Sequence, residues 1–329
     1  MPPKPVIDCG ITSEDIIAAR PSPFGIPEWA KQHQWIVDGS PIGLEKYHDD
    51  NTAVSFSSLK TAMQSLELFY HNHVAKTVPR KPSTDAQIKG KLFHLFLLEH
   101  DKFQSRYAVR PSTYMGEHID KRWNYRNATP AQKKFIAEWT AQNAGKDTET
   151  VDEELHYEFL QMAKQILDNP EARSLISRAS SSEYATRWDH EPTGQPMKMS
   201  LDTICFEDDI IINLKTTKDV TYHGWRREIA YYSYHMQGAV SCDGYYTLFG
   251  RLPEYVWILV HNEFPYECEV FQLSQKSRRV GQKMMTDTIR RIQLASTMDH
   301  WRSSTHGQRV PVDTADWQLR EYGESTDAE

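Results

Sequence analysis

The amino-acid sequence predicts an α/β fold, and three observations lead to it. Strand-like stretches follow one another at about 183–190, 197–205 and 209–216, the last two joined by the acidic turn Glu207-Asp208-Asp209. Helical patterns frame them. Leu155, Phe159, Met162 and Ile166 keep helical spacing before the strands, and a long helix is expected at about 222–240 after them. Alternating strands at 254–263 and 266–273 and a last helix at 274–297 complete the pattern. Helix, three antiparallel strands, helix and further strand is the order of an α/β sandwich.

Residues 1–50 read as an irregular arm with short helical pieces, since seven of the 17 prolines fall within the first 41 positions. Ser57 or Ser58 is placed to cap a helix running through Leu59–His73, and Thr84 or Asp85 to cap another from Asp85 to Glu99. Residues 110–150 carry little periodicity, apart from one helix near 130–142. Asn169-Pro170 is expected to end the helix that begins near Val151. The domain reading is therefore an arm at 1–50, a main domain at 51–300 and a polar tail at 301–329.

Composition narrows the class. A chain of 329 residues, 39% hydrophobic and 25% charged, suits one large soluble domain with peripheral additions. The longest apolar stretch, Leu92–Leu98, is interrupted by His94 and is too short to cross a bilayer. Met-Pro-Pro-Lys-Pro lacks the apolar core of a secretory signal. Cys9, Cys205, Cys242 and Cys268 are scattered without a CxxC pair, which argues for thiols in a reducing compartment and against structural zinc. A net charge of −7 does not advertise a nucleic-acid binder, but a local basic groove can coexist with an acidic exterior. Arg226/Arg227, Lys276/Arg278/Arg279 and Arg290/Arg291 could form such a groove or simply solvate helix faces.

The chemistry concentrates in Met197–Thr217. Asp202 lies on one strand of the predicted hairpin, and Asn213 and Lys215 on the other. Side chains repeat every two residues along a strand, so positions 213 and 215 share a face. A carboxylate, an oxygen ligand and a lysine on neighbouring strands could hold one or two hard divalent cations against a phosphodiester. An ordinary hairpin with polar ends is the plain alternative. Glu183 could complete the metal shell from an adjoining strand, or lie on the surface. His94, in an apolar helix, is either a hydrogen-bonded core residue or a ligand. Tyr231, Tyr234 and Gln237 share helical spacing and could line a DNA channel.

Taken in order, these segments resemble the exonuclease VIII (RecE-like) branch of the PD-(D/E)XK nucleases of bacteriophages and prophages. Ser-Phe-Ser-Ser-Leu-Lys at 55–60, Gly90–Glu99 with Phe103, and Glu183 with Glu191-Pro-Thr-Gly194 and Asp202 carry the resemblance. So do Leu214–Asp219, Tyr232–Gln237, Asp243-Gly-Tyr245 and Pro265-Tyr266. It spans about Val54 to Leu294. The resemblance implies a PD-(D/E)XK core with a mixed central sheet flanked by helices. It makes His94, Glu183, Asp202 and Asn213 metal-site positions, Lys215 the catalytic lysine and Gln237 a supporting residue. It further implies processive 5′-to-3′ digestion of linear double-stranded DNA, dependent on Mg²⁺ with Mn²⁺ as an alternative ion. A ring-shaped homo-oligomer, a single-strand annealing partner and the cytoplasm of a bacterial host are implied as well. Arg226, Arg227 and Tyr234 are the candidate DNA contacts.

Three positions depart from that pattern. Asn213 stands where the family has aspartate, Ser200 where an arginine usually precedes the first aspartate by two, and Ser241 where a tyrosine usually follows the glutamine by four. An amide in place of a carboxylate removes a full charge beside a dication and should weaken its binding sharply. Two explanations stand open: an isosteric Asp→Asn exchange in an otherwise intact nuclease, or a naturally inactive DNA-end-binding or scaffold protein of the same fold.

Overall fold

The computed structural model describes residues 10–19, 25–37, 40–79, 82–119, 128–303, 305–314 and 316–321. Its centre is a five-stranded mixed sheet in the order β1-β2-β3-β4-β5. These strands are β1 (Ser181–His190), β2 (Gln195–Cys205), β3 (Ile210–Thr217), β4 (Glu254–His261) and β5 (Cys268–Gln272). Neighbouring strands are antiparallel except β3 and β4, which run parallel from Ile210↔Glu254 to Thr217↔His261. A parallel pair needs a long crossover, and the helical stretch after β3 supplies it.

The helices that matter for the site are α1 (Phe56–Gln64), α2 (Asp85–Leu98), α3 (Glu153–Asp168), α4 (Pro170–Ser177), α5 (Tyr222–Tyr232), α6 (Tyr234–Phe249) and α7 (Gln275–Thr297). They cover both faces of the sheet, and the strand sequences record this. On β3, Ile210, Ile212 and Leu214 enter a core with α2, α3 and α4, whereas Ile211 enters the core beneath α1, α6 and α7. On β4, Tyr255, Trp257 and Leu259 enter the latter core, and Val256, Ile258 and Val260 the former. Strands buried on both sides read as unbroken apolar runs, as Ile210-Ile-Ile and Tyr255–Val260 do. The layered α/β sandwich expected from the sequence is present.

Several local expectations are corrected. The first helix begins at Phe56, because Ser55 and Ser58 cap each other's backbone N–H groups in a capping box. It stops at Gln64, where Ser65 is extended, so Leu59–His73 is not one helix. Thr84 does cap α2, paired with Gln87. Asn169-Pro170 ends α3 but also starts α4, since the Asn169 side chain accepts from the N–H groups of Glu171 and Ala172 and Pro170 occupies the first helical position. The helix expected at 222–240 is two helices, broken by Ser233 in the left-handed region with φ 59°. Of the predicted arm, Ile11 and Ile16 join one core and Ala30 the other. Residues 1–9, 20–24 and 38–39 of that arm, and 304, 315 and 322–329 of the predicted tail, lie outside the described residues.

Two features of this architecture position the site. The first is the split between β2 and β3, which pair only at Thr203↔Ile212, Ile204↔Ile211 and Cys205↔Ile210 before diverging. Val54 pairs with the edge of β2 that the split frees: its N–H donates to the Pro196 carbonyl, and its own carbonyl accepts from the Lys198 N–H. The chain then enters α1. The second feature is the contact of α6 with α7 at Gly281. A Cβ there would meet the His235 carbonyl oxygen at 2.4 Å and the Ala239 Cβ at 2.8 Å, so the helices touch backbone to backbone. Gly281→Ala should therefore force them apart and destabilise the fold by about 1–3 kcal/mol. Chemical denaturation of the two forms measures this, and equal midpoints would contradict the close contact.

Candidate active site

The site lies at the apex of the split. Continuing the two ladders places Asp202 opposite Glu183 on β1 and opposite Asn213 on β3, yet neither pair bonds backbone to backbone. The Asp202 carboxylate intervenes: its Oδ2 accepts from the Leu214 backbone N–H at 3.2 Å and from Asn213 Nδ2 at 2.7 Å. Across the other ladder, Glu183 holds φ at 52°, a left-handed conformation uncommon for a side chain of this size, while the register is kept on both sides of it. Its Oε2 accepts from the Ser200 hydroxyl at 3.1 Å. Ser200, one of the departures from the family pattern, is thus a partner of the site's second acid.

α2 brings His94 to this point, with Nδ1 3.7 Å from Asp202 Oδ2. Burial pushes the imidazole pKa down and Asp202 pulls it back only in part. His94 is therefore neither a sequestered core residue nor remote from the acids. From the other face comes Lys215, its ammonium 5.1 Å from the centre of the Tyr234 ring. Burial lowers the lysine's pKa, Asp202 opposes that shift and Lys60 adds to it. Lys60, on α1, lies over the Tyr232 ring at 4.9 Å. Nothing local to Ser55–Lys60 marked this lysine as a site residue; only the seating of α1 in the split brings it there.

Among the described residues, neither the buried Oε1 of Gln237 on α6 nor the buried Oδ1 of Asn213 has a hydrogen-bond partner. Ser241 turns its hydroxyl back to the Gln237 carbonyl at 3.2 Å. Tyr234 is half-buried and stacks on Trp225 at 5.3 Å, so it forms a wall behind Lys215. Tyr231 does not share its face, because the break at Ser233 interrupts the helical spacing, and it is 79% exposed. Arg226 and Arg227 are exposed on α5; Arg226 lies over the Tyr222 ring and Arg227 pairs with Asp219 at 3.3 Å.

Tested as a cation site, this donor set falls short as the sequence stands. Asn213 directs its amide nitrogen, not its oxygen, at Asp202, and is neutral. Glu183 is half-buried, and desolvation with the neighbouring charges of Asp202 and Glu99 pushes its carboxyl pKa up to about 8, so it holds its proton at neutral pH. Among the described residues no group of three or more His, Cys, Asp or Glu side chains could hold a metal ion. A hard dication would have to break the Asn213–Asp202 hydrogen bond and displace the Glu183 proton.

A mixed sheet split between two strands, with acids at the apex and an x-Lys beside them, is the architecture of the PD-(D/E)XK nuclease class. Residues 55–307 match the family described as a PDDEXK-like domain of unknown function (DUF3799), and the chain belongs to that family. The crystal structure of a candidate exonuclease from Eubacterium rectale is similar in fold. It has a TM-score of 0.51 at 13% identity, covering 85% of this chain and 98% of that one. A second structure, SSO0001, covers 75% of this chain and 81% of its own at 11% identity, with a TM-score of 0.31 that is too low to bear on the fold. No curated protein matches the chain.

The protonated Glu183 gives a pH signature. Its value of about 8 in the folded protein lies above the ordinary 4.5, so folding holds a proton that the unfolded chain releases. That contribution is complete below about pH 4.5 and is lost as pH rises through about 8. Thermal melts in chelator between roughly pH 5 and 9 should show the decline, and Glu183→Gln should flatten it. An unchanged slope in the variant would remove Glu183 as its source.

Proposed function

We propose that this protein is a DNA nuclease of the exonuclease VIII (RecE-like) kind, held at low activity by Asn213. The observation that carries the reading is the grouping of Glu183, His94, Asn213 and Lys215, from β1, α2 and β3, around Asp202 of β2 at the strand split. In this reading Lys215 orients the attacking water and offsets charge on the phosphate in the transition state. Its lowered pKa lets it exchange a proton more readily than an exposed lysine. Gln237 positions water or substrate through its Oε1, which has no partner among the described residues. Nucleases of this class typically use divalent metal ions, Mg²⁺ or Mn²⁺ here, and an aspartate at position 213 would supply the missing carboxylate. The substrate is the end of linear duplex DNA, digested 5′ to 3′ by a ring-shaped homo-oligomer serving recombination with a single-strand annealing protein.

One observation favours a second reading. The Asn213 amide donates to Asp202 directly, so the pair carries one negative charge where two aspartates would carry two, and the Asp202 oxygen has its donor without a cation. A protein built to bind DNA ends without cutting them would keep that arrangement.

The two readings separate on Asn213→Asp. Release of nucleotides from linear duplex DNA with Mg²⁺ should rise at least about tenfold in that variant. Adding Lys215→Ala should then lower it by about 10²–10³. Mg²⁺ should also raise the melting temperature of the aspartate form more than that of the asparagine form. DNA binding in chelator with no cleavage by the aspartate form would favour the end-binding reading.

A further inference from the structure

The outer face of α7 carries a feature that the strand split does not explain. At 3.6 residues per turn, Lys276, Arg279, Lys283, Arg290 and Arg291 fall within an arc of about 120°. All five are exposed, and none is in an ion pair among the described residues. One acid, Asp287, lies on the same arc. Arg278 does not belong to it, because its guanidinium turns inward to the Cys242 thiol. The opposite face, Gly281, Met285, Thr288, Ile289, Ile292 and Ala295, is buried.

This segregation stands out against the whole chain, where 45 acidic residues outnumber 38 basic ones. Five cations against one acid on a single helix face cost self-repulsion unless something anionic relieves it. From Lys276 to Arg291 the row runs about 22 Å at ~1.5 Å per residue, roughly six steps of a nucleic-acid strand at ~3.4 Å. The face also lies on the side of the sheet that holds Lys215, since α7 rests on α6, which carries Tyr234 and Gln237.

We propose that the exposed face of α7 is a track for the phosphate backbone of double-stranded DNA, feeding or holding substrate for the strand-split site. The proposal rests on the nuclease reading of that site, and it moves the main DNA contact from Arg226 and Arg227 to α7. The track reads charge and spacing, not base sequence.

The test measures duplex DNA binding in chelator as a function of salt, using the full chain. The triple variant Lys276→Gln/Arg279→Gln/Lys283→Gln should lower the slope of log affinity against log salt by about 2–3 and weaken binding about tenfold or more at ~0.1 M salt. A control with the same charge loss, Lys133→Gln/Lys134→Gln/Lys146→Gln, removes exposed lysines elsewhere and should leave the slope as it was. Asp287→Asn, which removes the opposing acid, should tighten binding, a gain that damage to the fold cannot mimic. Equal losses in both triples, an unchanged slope in the α7 triple, or no gain from Asp287→Asn would each overturn the track while leaving the nuclease reading standing. Failure of the unaltered protein to bind duplex DNA even at low salt would overturn both. Competition by polyglutamate as effective as by DNA would assign the face to an acidic protein surface instead.

Discussion

The carboxylate of Asp202 is the constraint from which the rest of the site follows. Where β2 and β3 would otherwise continue their ladder, its Oδ2 takes the Leu214 N–H. A buried backbone N–H must be paired with something, and a side-chain acceptor placed between two strands lets them part without leaving an orphan. The freed edge of β2 is then available to Val54, which seats α1 and brings Lys60 beside Lys215. An apolar residue at 202 would leave the choice of zipping the strands together or stranding Leu214. Either would displace the residues that now meet there.

The electrostatics of the apex show how the molecule tolerates buried charge. Two acids in adjoining register positions cannot both ionise cheaply where water is largely excluded, so Glu183 keeps its proton and leans on Ser200. Asn213 matches the shape of an aspartate but offers Asp202 a donor instead of a second negative charge. Lys215 supplies the compensating cation from the opposite face of the sheet. The result is an apex that is nearly balanced by its own residues. Position 213 decides whether that balance is internal or must be completed from outside.

The same economy of charge appears on a larger scale. An acidic protein gathers on the outer arc of α7 cations that have no ion pair among the described residues, and keeps the inner face apolar against α6. The glycine that allows the two helices to touch also couples that arc to the helix bearing Gln237. Surface charge and buried site are thus two faces of one helical layer.

Much of this was legible in the residues. Strand alternation put Asn213 and Lys215 on one face, because the period of two is a property of the extended chain itself. Thr84 and Asp85 both offered a start for α2, and Thr84 takes it through a capping box completed within four residues. The order of helices and strands along the chain follows from the same short-range rules. Long-range contacts were beyond them. That Glu183 stands across from Asp202 depends on a register set over the whole β1–β2 ladder. His94 reaches the acids because of how α2 packs, not because of its apolar neighbours in sequence. Lys60 joins Lys215 through a strand edge left free elsewhere, and Ser233 breaks a helix whose periodicity runs on unmarked. Local chemistry by itself determined the elements and the most telling hairpin. The tertiary structure decided which side chains meet, because burial and pairing between distant segments select among conformations that the local sequence leaves nearly equal in energy.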